Sequence, residues 1–305
     1  MKFLLSCFVS SCLLLIISCG QAEKKQKDQS GETAKMRTDS LSVELEKVWE
    51  TGRAFLKTPE CATYDPEKNI FYISNLNRDN EVEKDGYISI VNADGSVENA
   101  KWIEGLSSPL GNDFYNDYLF VNDGGDIVKI SIKSGNIIEK IPVKGAANLN
   151  GIDIDKTGNI YAADSEGNKI YMVTQDGEVT LLFEGEELNK PNGVFIKDNE
   201  LIIASMSGNS LLSFHLETNK IKTLVEDIGG VDGIIQLEGG HFLTSSWSGE
   251  IFFISNDMQK QKILDTTLEK INAADIGYIP HENLLVVPTF FDNRLIAYKL
   301  SINKG

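Results

Sequence analysis

The sequence predicts an all-β fold, a six-bladed β-propeller whose blades have four strands each. Three observations predict it: short apolar segments alternate with turn residues, no convincing helical pattern is present, and one segment pattern recurs six times. The repeats are separated by 49, 41, 42, 40 and 43 residues. A four-stranded propeller blade needs about 40–45 residues, so the spacing fits one repeat per blade.

The repeated pattern is seen in KPNGVFIKDNELIIASM, residues 190–206, where two apolar runs flank a polar turn. This arrangement predicts a β-hairpin made of the first two strands of a blade. The residues that stand at the start of the first strand in the six repeats are Glu60, Pro109, Asn150, Asn192, Asp232 and Asp275. We call them the ring positions, because the first strands of propeller blades line the central channel and would gather these residues at one mouth.

Further strands follow the hairpin in several repeats. Examples are residues 169–173 with 179–183, 211–215 with 220–224, and 251–255 with 262–264. Residues 46–55 precede the first repeat and residues 294–300 end the last. We therefore expect an early strand to complete the last blade, so that no sheet edge stays open.

The N-terminal pattern indicates a targeting segment rather than a part of the fold. A positive start and an apolar run at 3–17 are typical of a secretory signal, and IISCG at 16–20 resembles a bacterial lipobox. The resemblance implies cleavage before Cys19 and lipidation of that cysteine, which would anchor the chain to a membrane of the bacterial cell envelope. The predicted organisation is a signal peptide at 1–18, a flexible polar tether at 19–43 and the propeller at 44–305.

Charge and cysteine content exclude some classes of function. The formal net charge of −16 argues against nucleic-acid binding, which needs a positive surface. Of the four cysteines, Cys7 and Cys12 lie in the signal and Cys19 takes lipid, which leaves Cys61. One thiol forms neither an intramolecular disulfide nor a thiolate metal site, so Cys61 is expected to be a small buried residue.

Five of the six ring positions are Asn, Asp or Glu, and two explanations compete. Asn-Gly and Asp-Gly pairs favour tight turns, which would account for Asn150, Asn192 and Asp232 but not for Glu60. Alternatively, carboxylate and amide oxygens that converge from four blades would suit one divalent cation on the axis, most simply Ca²⁺. Both explanations stay open on these residues alone.

The ordered series PE, NG, PNG and DG at blade spacing resembles the family of senescence marker protein, gluconolactonase and luciferin-regenerating enzyme. The resemblance covers most of residues 46–300 and implies a six-bladed propeller with one axial divalent metal. It implies Glu60, Asn150, Asn192 and Asp232 as the metal ligands, with Asp232 also in the catalytic role. Two departures, Cys61-Ala62 after the glutamate and Asn148 in place of a substrate-binding arginine, put an aldonolactone substrate in doubt.

Residues near the second-strand ends are expected at the same mouth. Asp164, fourteen residues after Asn150, would contact the metal ligands rather than the metal itself. Trp247 would line a small-molecule pocket. Packing roles fit both residues equally well. Asn148 and Asp275 are further candidates for the pocket.

Two functions follow from these residues. The first is a metal-dependent hydrolase of a lactone or related ester. The second is a non-catalytic, lipid-anchored propeller that binds a small ligand or protein, because the third repeat also resembles an NHL repeat.

Overall fold

The computed structural model describes residues 41–78 and 85–304, which form six antiparallel sheets of four strands. The first three blades comprise β2 (Pro59–Asp65), β3 (Ile70–Asn75), β4 (Gly86–Asn92) and β5 (Val97–Leu106); β6 (Pro109–Tyr115), β7 (Tyr118–Asp123), β8 (Asp126–Ser131) and β9 (Asn136–Pro142); and β10 (Leu149–Ile154), β11 (Ile160–Asp164), β12 (Lys169–Val173) and β13 (Val179–Glu184). The next two comprise β14 (Pro191–Lys197), β15 (Glu200–Ser205), β16 (Ser210–His215) and β17 (Lys220–Val225); and β18 (Val231–Gln236), β19 (Phe242–Ser246), β20 (Glu250–Ile254) and β21 (Lys260–Asp265). The sixth comprises β22 (Gly277–Ile279), β23 (Leu284–Pro288), β24 (Leu295–Lys304) and β1 (Leu41–Glu50).

The sixth blade closes the propeller as predicted. Its order is β1-β24-β23-β22, so the first strand of the fold is the outermost strand of the last blade. The strand begins at Leu41, three residues before the predicted propeller boundary at 44. The buried Arg294 side chain reinforces the closure through ion pairs with Glu50 of β1 and with Asp292.

The hydrophobic core lies between neighbouring blades. Six clusters of buried apolar side chains fill the six spaces between blade faces, and each cluster draws on two adjacent sheets. Between the first two blades, for example, Ile88 and Tyr72 pack with Val121 and Val128. The second strand of a blade is covered on both faces, which explains why these strands are buried along almost their whole length.

The first strand of a blade, which we call its inner strand, has a shift in pairing register near its start in each of the first five blades. The shift falls between Pro191 and Val194 in β14 and between Val231 and Ile234 in β18, with equivalents in β2, β6 and β10. A bulge of this kind bends the strand and redirects the side chain at the irregularity. The bulges therefore coincide with the ring positions.

The fold prediction is confirmed for the residues described, and the predicted strands agree with the observed ones to within a few positions at their ends. Over residues 41–78 and 85–304 the helical elements are short 3-10 turns at Glu186–Leu188, Glu238–Gly240, Pro280–Glu282 and Phe290–Asp292. No helix in that part of the chain is long and apolar enough to cross a membrane. The predicted signal, Cys19 and most of the tether lie outside the described residues.

Candidate functional site

The glycines after the ring positions serve close packing at the axis rather than tight turns. Asn150, Asn192 and Asp232 lie inside inner strands, and Gly151, Gly193 and Gly233 after them do not have positive φ. A Cβ atom on any of these three glycines would come within 3.0 Å of the next blade, a distance that real Cβ atoms essentially never show. The turn explanation is therefore wrong for these pairs, and the convergence of the inner strands requires the glycines.

The second blade departs from the predicted ring by one residue. Pro109 pairs with Asp123 as Pro191 pairs with Ser205, so Leu110 is the structural equivalent of Asn192. Leu110 is followed by Gly111, where a Cβ would meet the Asn150 carbonyl oxygen. The blade thus contributes an apolar side chain to the ring.

One mouth of the channel opens into a cavity of about 440 Å³. All four predicted metal ligands, Glu60, Asn150, Asn192 and Asp232, line it together. The remaining lining residues are Arg78, Leu110, Asn148, Ser165, Glu166, Lys190, Met206, Trp247, Phe290 and Phe291. They come from the starts of inner strands and from the turns after second strands, as the sequence predicted for this mouth.

Two carboxylates at the bottom of the cavity lack hydrogen-bond partners for one oxygen each. Glu60 and Asp232 are 4% and 1% exposed, and Glu60 Oε2 and Asp232 Oδ1 accept no hydrogen bond within the described structure. Burial, followed by the charges of neighbouring carboxylates, raises the pKa of both groups well above the usual range. Two buried carboxylates with free oxygens in one polar cavity are costly unless something positive binds there.

The amide residues complete the set of oxygen donors. Asn192 is buried, and its side-chain amide beside the Asp232 carboxylate lowers the pKa of Asp232. The backbone around Asn150 is held by Asn122, whose Nδ2 donates to the carbonyl oxygens of Asn150 at 2.7 Å and of Gly151 at 3.2 Å. The donors therefore sit on a rigid frame.

Asp164 lies behind the cavity wall and fixes the loop that leads to Asn150. Its Oδ2 accepts a hydrogen bond from the Ala147 amide at 2.9 Å, and its Oδ1 accepts from the amides of Asn148 at 2.9 Å and Gly167 at 3.0 Å. This buried side chain does not line the cavity. Its oxygens are engaged with backbone, so it positions the loop that carries Asn148.

Asp275 occupies a different place from the other acidic ring positions. It lines a second cavity of about 360 Å³, together with Cys61, Asp113 and Asp153. Its backbone amide donates to the Glu60 carbonyl oxygen at 2.8 Å, and its carbonyl oxygen accepts from the Ala62 amide at 3.2 Å. These bonds pair Asp275 in parallel with Cys61, which explains why its side chain is excluded from the cavity of Glu60. Cys61 is buried, as expected.

An aromatic wall, consisting of Trp247, Phe290 and Phe291, forms one side of the cavity. The ring centroids lie 4.8–5.9 Å apart in edge-to-face geometry. Trp247 was predicted here, whereas Phe291 was not. The Arg78 guanidinium, also unforeseen, lies 5.9 Å from the Phe290 ring centroid, and its charge lowers the pKa of Glu60. Arg78 and Phe291 lie in segments between strands, outside the repeated hairpin pattern.

Histidine and cysteine take no part in this cavity. His215, His241 and His281 do not line it. Within residues 41–78 and 85–304, no three His, Cys, Asp or Glu side chains are grouped closely enough to hold a metal on their own. Any cation would depend on amide oxygens beside the two carboxylates, a mixture that calcium accepts and zinc disfavours.

Comparison with known proteins shows the fold. No family model and no curated protein matches the sequence. Among solved structures, a gluconolactonase from Xanthomonas campestris superimposes with a TM-score of 0.65 at 14% identity, covering 82% of this chain and 88% of that one. A putative gluconolactonase gives 0.65 at 13% identity, covering 86% and 93%. A catalytically inactive variant of virginiamycin B lyase from Staphylococcus aureus, solved with quinupristin, gives 0.60 at 13% identity, covering 85% and 99%.

The fold is gluconolactonase-like. At these identities the similarity extends to the propeller architecture, which also resembles that of virginiamycin B lyase. The similarity to these structures shows the fold alone, so the chemistry must be argued from the cavity itself.

Proposed function

We propose that this propeller is a metal-dependent hydrolase of a lactone or related ester. The observation that carries the proposal is the pair of unpartnered carboxylate oxygens, Glu60 Oε2 and Asp232 Oδ1, in one cavity with Asn150 and Asn192. Two carboxylates and two amide oxygens match the donors that Ca²⁺ prefers, with positions left for water and substrate. The residues therefore fit a single divalent cation, most simply Ca²⁺.

When bound, such an ion acts as a Lewis acid toward a substrate carbonyl oxygen and favours the oxyanion that forms there. Glu60, Asn150, Asn192 and Asp232 would hold it. Asn192 has a second task in this scheme, because its side-chain amide lies beside the Asp232 carboxylate and lowers the pKa of that group.

Asp232 is the base in this proposal. Its carboxylate would take a proton from a water molecule as the water oxygen bonds to the carbonyl carbon. The bond from that carbon to the leaving oxygen then breaks, and the leaving oxygen would take the proton that Asp232 received, so that a lactone gives a hydroxy acid and the Asp232 carboxylate is restored. The buried position of Asp232 excludes bulk water from the base except through the cavity.

Hydrolysis is favoured over elimination of the lyase type. The virginiamycin B lyase variant is inactive after replacement of a histidine by alanine. In contrast, none of the three histidines of this chain lines the cavity, and the candidate base is a carboxylate.

Calorimetric titration of the full chain with Ca²⁺ tests the proposal, followed by a turnover screen of lactones and esters. We expect one binding site that is lost in Glu60→Gln and in Asp232→Asn, and turnover that disappears in Asp232→Asn. Asp113→Asn is the matched control, because Asp113 lines the other cavity and should leave the calcium site intact.

Absence of calcium binding would overturn the proposed metal site. Calcium binding without turnover of any lactone or ester would favour the alternative, a non-catalytic propeller that binds a small ligand or protein.

We also propose that the protein is a lipoprotein of the bacterial cell envelope, tethered through Cys19. The support is the apolar run and the IISCG motif of the sequence. Metabolic labelling with a palmitate analogue should mark the wild-type chain and should not mark Cys19→Ser. Labelling of both chains would contradict the assignment.

A further inference from the structure

From the aromatic wall we propose that the substrate of this cavity has an apolar, preferably aromatic, body rather than a polyhydroxylated one. The inference rests on the proposed function, whose substrate class it narrows. It also names Trp247 and Phe291 as specificity-determining residues.

The first support is the exposure of large aromatic rings inside a concave site. Trp247 is 37% and Phe291 is 59% exposed, although both line the cavity that holds Asp232. Apolar side chains scattered singly over a surface are ordinary, whereas adjacent exposed rings in one concave site mark an interaction site. Small-molecule sites commonly combine apolar walls with a few convergent polar groups, which is the arrangement here.

The second support is the rigidity of the wall. Phe290 is buried against Leu76, Leu110 and Ala274, and its ring is crossed edge-on by Phe291 at 4.8 Å and by Trp247 at 5.8 Å. The Arg78 guanidinium lies near the Phe290 ring as well. Phe290 thus acts as the support on which the two exposed rings rest.

The turn that carries the wall is also fixed by hydrogen bonds. The Thr289 hydroxyl donates to the Arg294 carbonyl oxygen at 2.8 Å, and the Asn293 side-chain oxygen accepts from the Thr58 amide at 2.7 Å. Phe290 itself has a φ of 46°, in the left-handed region that bulky residues rarely adopt. Conformations of this kind persist only where the surroundings enforce them. The wall is therefore preorganised, which reduces the entropy lost when a ligand binds.

The third support concerns two charged side chains that line the cavity, Lys190 and Glu166. Lys190 pairs with Glu166 at 2.9 Å, so these two charges satisfy each other. A polyol would need a hydrogen-bond partner for each hydroxyl group. Against the ring faces of Trp247 and Phe291 it would lose hydration without compensation, whereas an aryl group would replace water with edge-to-face contacts.

Binding of two unreactive amides tests this inference separately from catalysis. Acetanilide represents an aryl ester and gluconamide represents a sugar lactone, and ligand-observed NMR on the full chain measures both affinities. We expect acetanilide to bind at least about tenfold more tightly, and Trp247→Ala to weaken it by about tenfold, since buried aromatic contacts carry this order of binding energy. Trp247→Phe, which keeps an aromatic ring, should retain most of the affinity.

Leu268→Ala is the matched control, because Leu268 is 93% exposed and lies outside the cavity. This variant should bind acetanilide like the wild type. Tighter binding of gluconamide, or acetanilide binding that Trp247→Ala leaves unchanged, would overturn the inference.

The outcome remains distinguishable from that of the proposed function. Calcium binding and turnover with a preference for sugar lactones over aryl esters would leave the hydrolase intact and refute the aromatic preference. Acetanilide binding at Trp247 without calcium binding or turnover would refute the hydrolase and retain the aromatic site.

Discussion

Gly193 lies against the Asp232 carbonyl oxygen of the next blade, with no room for a side chain between them. A Cβ at residue 193 would come within 3.0 Å of that oxygen, and the obstruction is backbone, which cannot rotate away. The same relationship joins Gly151 to the Asn192 carbonyl oxygen. The donors of the candidate site are therefore spaced by direct contact between the backbones of the inner strands.

The first prediction is that Gly193→Ala destabilises the fold and damages the site together. We expect a loss of at least about 2 kcal/mol in the free energy of unfolding, because overpacking against backbone forces the two strands apart. Chemical denaturation and calcium calorimetry on the same variant measure the two effects. Gly125→Ala is the control, since its Cβ would meet nothing closer than 3.6 Å. Equal stabilities of the two variants would contradict the packing argument.

The second prediction concerns stability without metal. Burial raises the pKa of Asp232 well above that of an unfolded aspartate, so the folded state binds this proton more tightly. The stability gained from protonation is present at low pH and is lost as the pH rises through the folded pKa. At pH 8 without calcium, Asp232→Asn should therefore unfold at a higher temperature than the wild type, by roughly 2–4 °C for each kcal/mol relieved.

Calcium should reverse this order, because it stabilises the wild type and has no site in the variant. Differential scanning calorimetry with calcium and with chelator measures both states. Asp292→Asn offers the contrast, because Asp292 is paired with Arg53 at 2.9 Å and with Arg294, and its neutralisation should lower stability. A lower unfolding temperature for metal-free Asp232→Asn would show that the carboxylate is satisfied by the protein itself.

A third prediction arises from the second cavity, the one lined by Asp275, where the carboxyl groups of Asp113 and Asp153 are hydrogen-bonded to each other. Burial raises the pKa of Asp153 to about 6 and the pKa of Asp113 well above its usual range, and the hydrogen bond further raises the pKa of Asp113. Both folded pKa values exceed the unfolded ones, so stability should fall as the pH rises from about 4 through 6 and beyond.

Asp113→Asn should flatten this dependence, because an amide keeps a donor toward Asp153 without titrating. Unfolding free energies at pH 5 and pH 8 provide the measurement, and the difference between them should be smaller in the variant. An unchanged difference would mean that the pair does not titrate as a unit. Asp155→Asn serves as control: the pKa of Asp155 is lowered in the fold, so this variant should not reduce the loss of stability at high pH.

The fourth prediction tests the closure of the propeller with two valines of the same strand. Val43 is 3% exposed and packs in the core between the fifth and sixth blades, whereas Val48 is 54% exposed. Val43→Ala should cost roughly 2 kcal/mol of unfolding free energy, from two buried methyl groups and the cavity they leave. Val48→Ala should change it by less than about 0.5 kcal/mol. Similar losses in urea denaturation would imply that β1 does not pack as described.

The sequence predicts most of this architecture because blade period and strand alternation are local properties. The six inner strands and the gathering of ring positions at one mouth follow from spacing, whereas the choice of Glu60, Asn150, Asn192 and Asp232 among them follows from the family resemblance. Spacing cannot detect an offset of one residue, so the predicted ring contained Pro109 instead of Leu110. The side chain of Asp275 was misplaced for a related reason, because its parallel pairing with Cys61 depends on contact between the first and last blades.

The cavity residues that the sequence does not predict lie in segments between strands, where the blade repeat gives no pattern to follow. Arg78 and Phe291 stand in segments between strands, whose paths depend on particular hydrogen bonds such as that from Thr58 to Asn293. Tertiary packing decides whether their side chains reach the cavity, and no recurring residue type in the repeats predicts it.

The last prediction compares two aspartates that end second strands, Asp164 and Asp123. Asp164 accepts backbone hydrogen bonds with both oxygens, whereas Asp123 accepts the amides of Ser107 and Ser108 with Oδ1 alone, at 2.8 and 2.6 Å. Asparagine has one acceptor oxygen, so it can replace Asp123 in these bonds but must leave at least one partly buried backbone amide unpaired at 164.

Asp164→Asn should therefore cost about 1–3 kcal/mol of unfolding free energy, the usual penalty of an unsatisfied buried donor. Asp123→Asn should lose less, since its remaining interaction is a Lys140 ion pair at 3.7 Å. Because Asp164 holds the loop before Asn150, its variant should also bind calcium more weakly, whereas the Asp123 variant should not. Urea denaturation and calcium calorimetry on both proteins measure these differences, and equal effects in the two variants would refute the positioning role of Asp164.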